Sequence, residues 1–121
     1  MLHEFAAVDL TRSFVLSWEF ASETLLIDID LYLMPDHPFY EKPRPAEKVC
    51  IRPAVIEFPL CDRIEAHDLA ANSKPAAIVD KLGHGLIKGF RRLADGRYEI
   101  SGEFGVVLID AERPIMRLKG P

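Results

Sequence analysis

Four side chains that could perform acid–base chemistry or bind an anion lie in or beside predicted loops and strands: Asp36, His37, His84 and Arg91. A histidine can carry a proton near neutral pH, and an arginine can fix a negative charge. If the fold brings these four residues into one concave pocket, they would form the active site of an enzyme. The sequence contains no HExxH, GxSxG or GxxxxGK[ST] motif, so no common catalytic class is indicated.

The glycines around His84 resemble a cofactor-binding loop only superficially. Gly83, Gly85 and Gly89 have the spacing GxGxxxG and precede a predicted strand, whereas dinucleotide-binding loops have GxGxxG followed by a helix. We therefore predict no cofactor. We also predict no metal site, because no two of the four histidines share ligand spacing.

Two aspartates in the first half of the chain have a spacing that could do chemistry. Asp28 and Asp30 are two apart on a predicted strand, so their carboxylates share a face. They could act as an acid–base pair or bind a hard cation. The alternative is that they belong to the solvated face of an amphipathic strand.

A second candidate site depends on a predicted hairpin. Asp95-Gly96 is typical of a two-residue type I′ turn, and this turn would place Gly89 opposite Gly102, with Arg91 on the same, mostly apolar face. The paired glycines would leave a recess for a small anionic or aromatic ligand, whose charge Arg91 would bind. Alternatively, Trp18 fills the recess and Arg91 pairs with a carboxylate or reaches the rim.

The segment Pro35–Pro45 contains four prolines and is expected to be a stiff, extended connector. It holds Phe39 and Tyr40, and aromatic side chains on a stiff loop are good contact anchors for a partner. The alternative is that both rings turn inward and cover the end of a sheet.

These residues are positioned by elements that read mainly as strands. Apolar residues alternate with polar ones along 14–20 and 25–33, which predicts two half-buried strands. A four-residue loop, Ala21–Thr24, would keep the apolar side chains on one face. It pairs residues 20 with 25, 18 with 27, 16 with 29 and 14 with 31. A two-residue turn here would lack the usual Gly or Asn.

Further strands are predicted over 49–58, 61–67, 85–94, 97–109 and 115–118. Pro53 indicates an edge strand or a bulge, and Gly102 and Gly105 would bend the long strand over 97–109. Residues 73–82 fit either a short helix, with Pro75 in the first turn and Gly83 after its end, or a loop. We therefore predict an all-β fold: one domain spanning 1–121, an antiparallel β-barrel or β-sandwich of about seven or eight strands.

Composition limits the function classes. The 121 residues are 49% hydrophobic and 28% charged, with a net charge of −4, which favours one soluble domain and argues against nucleic-acid and anionic-membrane binding. No apolar run approaches the ~20 residues of a membrane span. Without a signal peptide at the start, Cys50 and Cys61 are expected to be free thiols, and we predict a cytoplasmic location.

The sequence favours a non-catalytic module that binds a small ligand or a protein through a sheet edge, the Pro35–Pro45 segment or the glycine recess. The alternative is an enzyme of unrecognised family that uses the loop His and Asp residues with Arg91. The partner is an unknown protein or small molecule. Homodimerisation is also predicted, since an open sheet must protect its edges.

Overall fold

The computed structural model describes residues 8–33, 50–66 and 74–119, which form eight strands and one short helix. The elements are β1 Val8–Ala21, β2 Thr24–Leu33, β3 Cys50–Phe58, β4 Arg63–Ala66, α1 Pro75–Val79, β5 Gly85–Arg92, β6 Tyr98–Gly102, β7 Gly105–Asp110 and β8 Ile115–Leu118. All strand pairs are antiparallel. The prediction of a nearly all-β antiparallel fold is thus confirmed.

Strands β1, β2 and β3 follow one another as a meander. In β2 every second residue from Leu25 to Leu33 is buried and the residues between are partly exposed, which is the burial expected of a strand with one core face. The predicted pairing of Phe20 with Leu25 is confirmed. The loop, however, has only two residues, because Ala21 pairs with Thr24 and Ser22 and Glu23 both adopt positive φ, 51° and 61°.

Two irregularities bend β1. Residues 10–13 lie opposite Leu31 alone, and Leu16 is an extra residue between the pairs Val15–Ile29 and Ser17–Asp28. The predicted pairs of Leu16 with Ile29 and of Phe14 with Leu31 are therefore wrong. Ser13 is fully buried in the first irregularity, where its hydroxyl accepts a hydrogen bond from the Tyr32 N–H at 3.0 Å.

Strands β5, β6 and β7 form a second meander. The turn at Asp95-Gly96 is present, but its loop has three residues: the Leu93 N–H donates to the Arg97 carbonyl, and the Gly96 N–H donates to the Leu93 carbonyl. Gly96 has φ 93°, as in a type I turn closed by a glycine bulge. The extra loop residue shifts the predicted register by one, so that Arg91 pairs with Glu99.

The predicted long strand over 97–109 is also two strands. Gly102 pairs with Gly105 across a turn at Glu103 and Phe104, so the chain reverses where a bend was expected. Gly105 has φ 105°, a backbone conformation that favours glycine.

The two meanders exchange their outer strands. The sheet order is β4-β7-β6-β5-β1-β2-β3-β8. Thus β4 follows β3 in the chain but pairs with β7, and β8 follows β7 but pairs with β3. The halves meet through two residue pairs, Phe14–Leu86 and Val15–Gly85. In the described part of the chain the sheet is not closed, because β4 and β8 remain its two edges.

Pro53 lies in a strand with neighbours on both sides, so the edge-strand prediction is wrong, and the ladder between β2 and β3 runs through Pro53 without a bulge. The pairs with β8 begin at the next residue, Ala54, and the Pro53 carbonyl accepts a hydrogen bond from the Lys119 N–H at 3.0 Å. A residue without an N–H fits here because no β8 pair needs it as a donor.

The core lies between the two halves of the sheet. The Phe58 ring of β3 contacts Phe90 of β5 and Tyr98 of β6, with ring centroids 6.2 and 5.6 Å apart. Helix α1 confirms the short-helix alternative, begins at Pro75 and buries Ile78 and Val79 in the same core. Residue 73, where the predicted segment begins, is outside the described residues.

Candidate functional site: the outer apolar face

The clearest candidate site is the side of the sheet that faces away from the core on β5, β1, β2, β3 and β8. Six large hydrophobic residues are exposed among the described residues, and four of them lie on this side: Leu16, Ile51, Leu86 and Ile115. The positions of three of them follow from the pairing, because Leu86, Ile51 and Ile115 are partners of outward residues of the next strand. Leu16 is the extra residue of a bulge and has no partner. We call this surface the outer apolar face.

Its centre is the junction of the two halves of the sheet. Phe14 on β1 and Leu86 on β5 are direct cross-strand partners; Leu86 is 44% exposed and Phe14 is half-buried. One step along, Leu16 is 45% exposed because of the bulge that turns it outward. The exposed His84 ring lies 5.9 Å from the Phe14 ring. Phe14, Leu16, His84 and Leu86 therefore form one contiguous patch.

Asp28 and Asp30 lie on this outer face of β2, and their surroundings differ. The Asp28 carboxylate contacts Lys119 Nζ at 2.7 Å and accepts a hydrogen bond from the Ser17 hydroxyl at 3.1 Å. Asp30 lies between Phe14 of β1 and Pro53 of β3. Among the described residues, the Asp30 carboxylate makes no hydrogen bond or ion pair. The predicted shared face is confirmed, but the two carboxylates are not equivalent.

On the outer apolar face, Arg117 contacts Glu57 at 3.4 Å and Lys119 contacts Asp28 at 2.7 Å. Among the described residues, the outer side of the other half of the sheet carries more ion pairs. Arg97 contacts Asp95 at 2.8 Å and Glu65 at 3.4 Å, Glu65 contacts Arg63 at 3.5 Å, and Arg91 contacts Glu99 at 3.0 Å. The Arg97 backbone N–H donates to the Asp95 carboxylate and, with the Arg97 guanidinium, lowers the pKa of that carboxyl. This charged, ion-paired surface is typical of a solvated face.

The predicted glycine recess is absent. Gly89 lies opposite Ser101, and Gly102 pairs with Ile87. A methyl group at Gly102 would overlap the Leu86 carbonyl oxygen and the Phe104 ring, so no space for a ligand lies beside it. Arg91 lies on the charged outer side with its side chain 68% exposed. Arg91 faces outward because the loop between β5 and β6 has three residues instead of two. This one-residue change in register turns the side chains of one strand to the opposite face.

The structure brings together two other residues of the predicted site, Trp18 and His84. The Trp18 indole N–H donates to the Gly83 carbonyl at 2.7 Å, and its ring packs edge-on against Phe104 at 5.3 Å. Trp18 thus fixes the segment that carries His84. The alternative in which Trp18 fills a recess between Gly89 and Gly102 does not occur.

The residues of the predicted enzyme site do not converge where they can be placed. His84 immediately precedes β5 and Arg91 is near its far end, a separation of roughly 20 Å at about 3.3 Å per residue. Asp36 and His37, and the proposed contact anchors Phe39 and Tyr40, lie outside the described residues. Within residues 8–33, 50–66 and 74–119, no group of three or more His, Cys, Asp or Glu side chains could hold a metal ion.

Cys61 is a free, buried thiol in the turn between β3 and β4. Its burial raises the pKa of the thiol to about 11, an effect that the nearby carboxylates of Asp110 and Asp62 add to. A thiol with this pKa is a poor nucleophile at neutral pH. The side chain of Cys50 is outside the described residues.

Phe14, Leu16 and Leu86 were not predicted as candidate site residues. Phe14 and Leu16 fit the alternating pattern that places them in the core, and the one-residue bulge at Leu16 that turns them outward has no sequence signal. A signal for Leu86 did exist: it alternates with Ile87, and only one of two adjacent strand residues can face the core.

Comparisons with models of protein families, with curated proteins and with solved structures find no match to this chain. Among the described residues, no helix has the length and apolar character needed to cross a membrane.

Proposed function

We propose that this chain is a non-catalytic protein-binding module that docks on another polypeptide through the outer apolar face. One observation supports this proposal: of the six large hydrophobic residues that are exposed in the described part of the chain, four lie on this outer side. Contiguous apolar patches on a soluble protein mark interaction sites, because water solvates them poorly.

The extent of the face favours a polypeptide over a small molecule. Its residues are distributed over five adjacent strands, which at about 4.8 Å per strand span about 19 Å across the sheet. A standard protein interface needs about 800 Å² on each partner. A small ligand would instead need a concave site that buries most of its surface. The glycine recess that could have been such a site is closed by Phe104 and Leu86.

Two finer features of the fold are part of this proposal. We infer a two-layer sandwich, because Phe58 of β3 touches rings of β5 and β6 directly across the core and the edge strands are unpaired with each other in the described chain. The sandwich would present the outer apolar face and the ion-paired face on opposite sides. A cytoplasmic location remains a prediction.

The sheet edges are less suited to binding. Strands β4 and β8 have four residues each, and both carry an arginine, Arg63 and Arg117. Short edge strands with charged side chains are a usual protection against pairing with another strand. The predicted homodimer through a sheet edge stays a prediction, and the docking surface proposed here is a sheet face.

Site-specific photo-crosslinking tests the proposal. A benzophenone amino acid would replace Leu86 on the outer apolar face or, as matched control, Val106, which is also 44% exposed but lies on the other half of the sheet. In the cells that make the protein, we expect a discrete covalent adduct with a second polypeptide from position 86 and none from position 106. Equal adducts from both positions, none from either, or an adduct of twice the chain's mass would contradict the proposal.

A further inference from the structure

We propose that Asp30 is the docking point for a cationic side chain, an arginine or lysine, of the polypeptide that covers the outer apolar face. This inference rests on the proposed function and defines the chemistry of the partner. The partner segment would present a basic residue flanked by apolar side chains.

The position of Asp30 is the first support. The pairing places it in a row of four residues across the sheet, Leu86–Phe14–Asp30–Pro53. Neither cross-strand neighbour, Phe14 or Pro53, has a side-chain hydrogen-bond donor. A partly exposed carboxylate therefore lies between two apolar cross-strand neighbours. Along β2 the next residues on the same face are Asp28, which contacts Lys119, and Tyr32, which contacts Arg12.

The contrast with Asp28 is the second support. Both aspartates are on the same face of β2, but Asp28 already has an ammonium group and a hydroxyl within 3.1 Å. Asp30 has no such contact with any residue that the structure describes. Among the described residues, no side chain therefore donates a hydrogen bond or an ion-pair contact to the Asp30 carboxylate.

Docking of a partner would change the hydration of the Asp30 carboxylate. A partner that covers Phe14, Leu16 and Leu86 removes water from the carboxylate between them, and a desolvated carboxylate without donors is strongly unfavourable. A guanidinium or ammonium group placed over Asp30 would supply the missing donors and the opposite charge. Charged pairs at the centre of an apolar interface also discriminate between partners.

The same charge disfavours a second copy of this chain as the occupant. In a twofold-symmetric dimer centred on this face, Asp30 would meet Asp30, and like charges brought together in a desolvated interface are repulsive. The net charge of −4 adds to this repulsion. The complementary partner is therefore basic and apolar.

A random peptide library displayed on phage provides a defined probe. Selection would be run on the full chain and on three variants: Asp30→Asn, Asp28→Asn as the matched control, and Leu16→Ser/Leu86→Ser. We expect the wild type and Asp28→Asn to enrich peptides in which Arg or Lys is flanked by apolar residues. With Asp30→Asn we expect apolar peptides without enrichment of basic residues.

The selections separate failure of the inference from failure of the proposed function. If the Leu16→Ser/Leu86→Ser variant selects the same peptides as the wild type, the outer apolar face does not dock them and both proposals fall. If wild-type binding needs these leucines but the peptides carry no excess of Arg or Lys, only the Asp30 inference is overturned. Equal loss of basic residues with Asp28→Asn would also overturn it.

A double-mutant cycle gives the second measurement. The basic residue of one selected peptide would be replaced by a neutral analogue, citrulline for arginine. We expect about tenfold weaker binding to the wild type and no further loss when Asp30→Asn is already present. Independent, additive losses would show that the cation contacts another group. Circular dichroism of each variant verifies that its fold is retained.

Discussion

The indole N–H of Trp18 on β1 donates a 2.7 Å hydrogen bond to the carbonyl oxygen of Gly83, sixty-five residues further along the chain. This contact ties the first meander to the segment between α1 and β5. It also sets the position of His84 beside Phe14, at the centre of the outer apolar face.

We expect Trp18→Phe to lower the free energy of unfolding by about 1–2 kcal/mol. The lost hydrogen bond accounts for about 1 kcal/mol, since water can reach the exposed Gly83 carbonyl, and the lost ring volume for the rest. Urea unfolding followed by circular dichroism measures the change. The exposed Leu16→Ala on the same strand is the control and should stay within about 0.5 kcal/mol.

The two glycines predicted to form a recess should respond differently to a methyl group. Gly102→Ala should destabilise the fold by about 2–3 kcal/mol, because the new Cβ would overlap the rigid backbone carbonyl of Leu86. Gly89→Ala should cost less than about 1 kcal/mol, since its Cβ meets only the rotatable Ser101 hydroxyl, at 3.1 Å. Thermal unfolding of the two variants checks this order, and a larger loss at Gly89 would contradict it.

The turn between β1 and β2 is a site where a substitution should stabilise the protein. Glu23 has φ 61°, a conformation that costs a residue with a Cβ about 1–2 kcal/mol. Glu23→Gly should therefore raise the free energy of unfolding by about 0.5–1 kcal/mol. Ala21→Gly, at a strand position of the same hairpin, is the matched control and should lower it. If both variants are destabilised in urea, the positive-φ turn is wrong.

Stability should fall as the pH rises from about 9 to 11, because of Cys61. The folded protein holds the thiol proton up to a pKa of about 11, whereas the thiol of the unfolded chain loses it near its ordinary pKa of 9.0. The unfolded state therefore binds fewer protons in this interval, and the free energy of unfolding decreases with pH. The comparison is between urea midpoints of the wild type and Cys61→Ala at pH 8 and pH 10. If the urea midpoint changes by the same amount between pH 8 and pH 10 in both proteins, Cys61 does not cause the loss of stability.

Sequence patterns predicted the strands well and their register only in part. Phe20 opposite Leu25 follows from the two-residue periodicity, because any odd slip would expose the apolar face of β2. That reasoning fails beyond Trp18, where the extra residue at Leu16 shifts the pairing. A bulge changes the register without changing the alternation of apolar and polar residues, so periodicity alone cannot locate it.

The candidate site was mispredicted for a related reason. Asp95-Gly96 is compatible with a two-residue turn and with a three-residue turn ending in a left-handed glycine, and the sequence does not separate them. The difference of one residue moves Arg91 from the core side to an ion pair with Glu99. In contrast, the shared face of Asp28 and Asp30 depends only on their spacing within one strand, and it was predicted correctly.

The exchange of β4 and β8 between the two meanders has a consequence for the order of folding. Each meander can form from contacts between neighbours in sequence, whereas β4 must wait for β7 and β8 must return to β3. Contacts between distant residues carry the larger loop-closure cost and form later. We expect the amide protons of β2 and β6 to be protected from hydrogen exchange early in refolding and those of β4 and β8 last. The two edge strands would then join the two meanders only after each meander has formed.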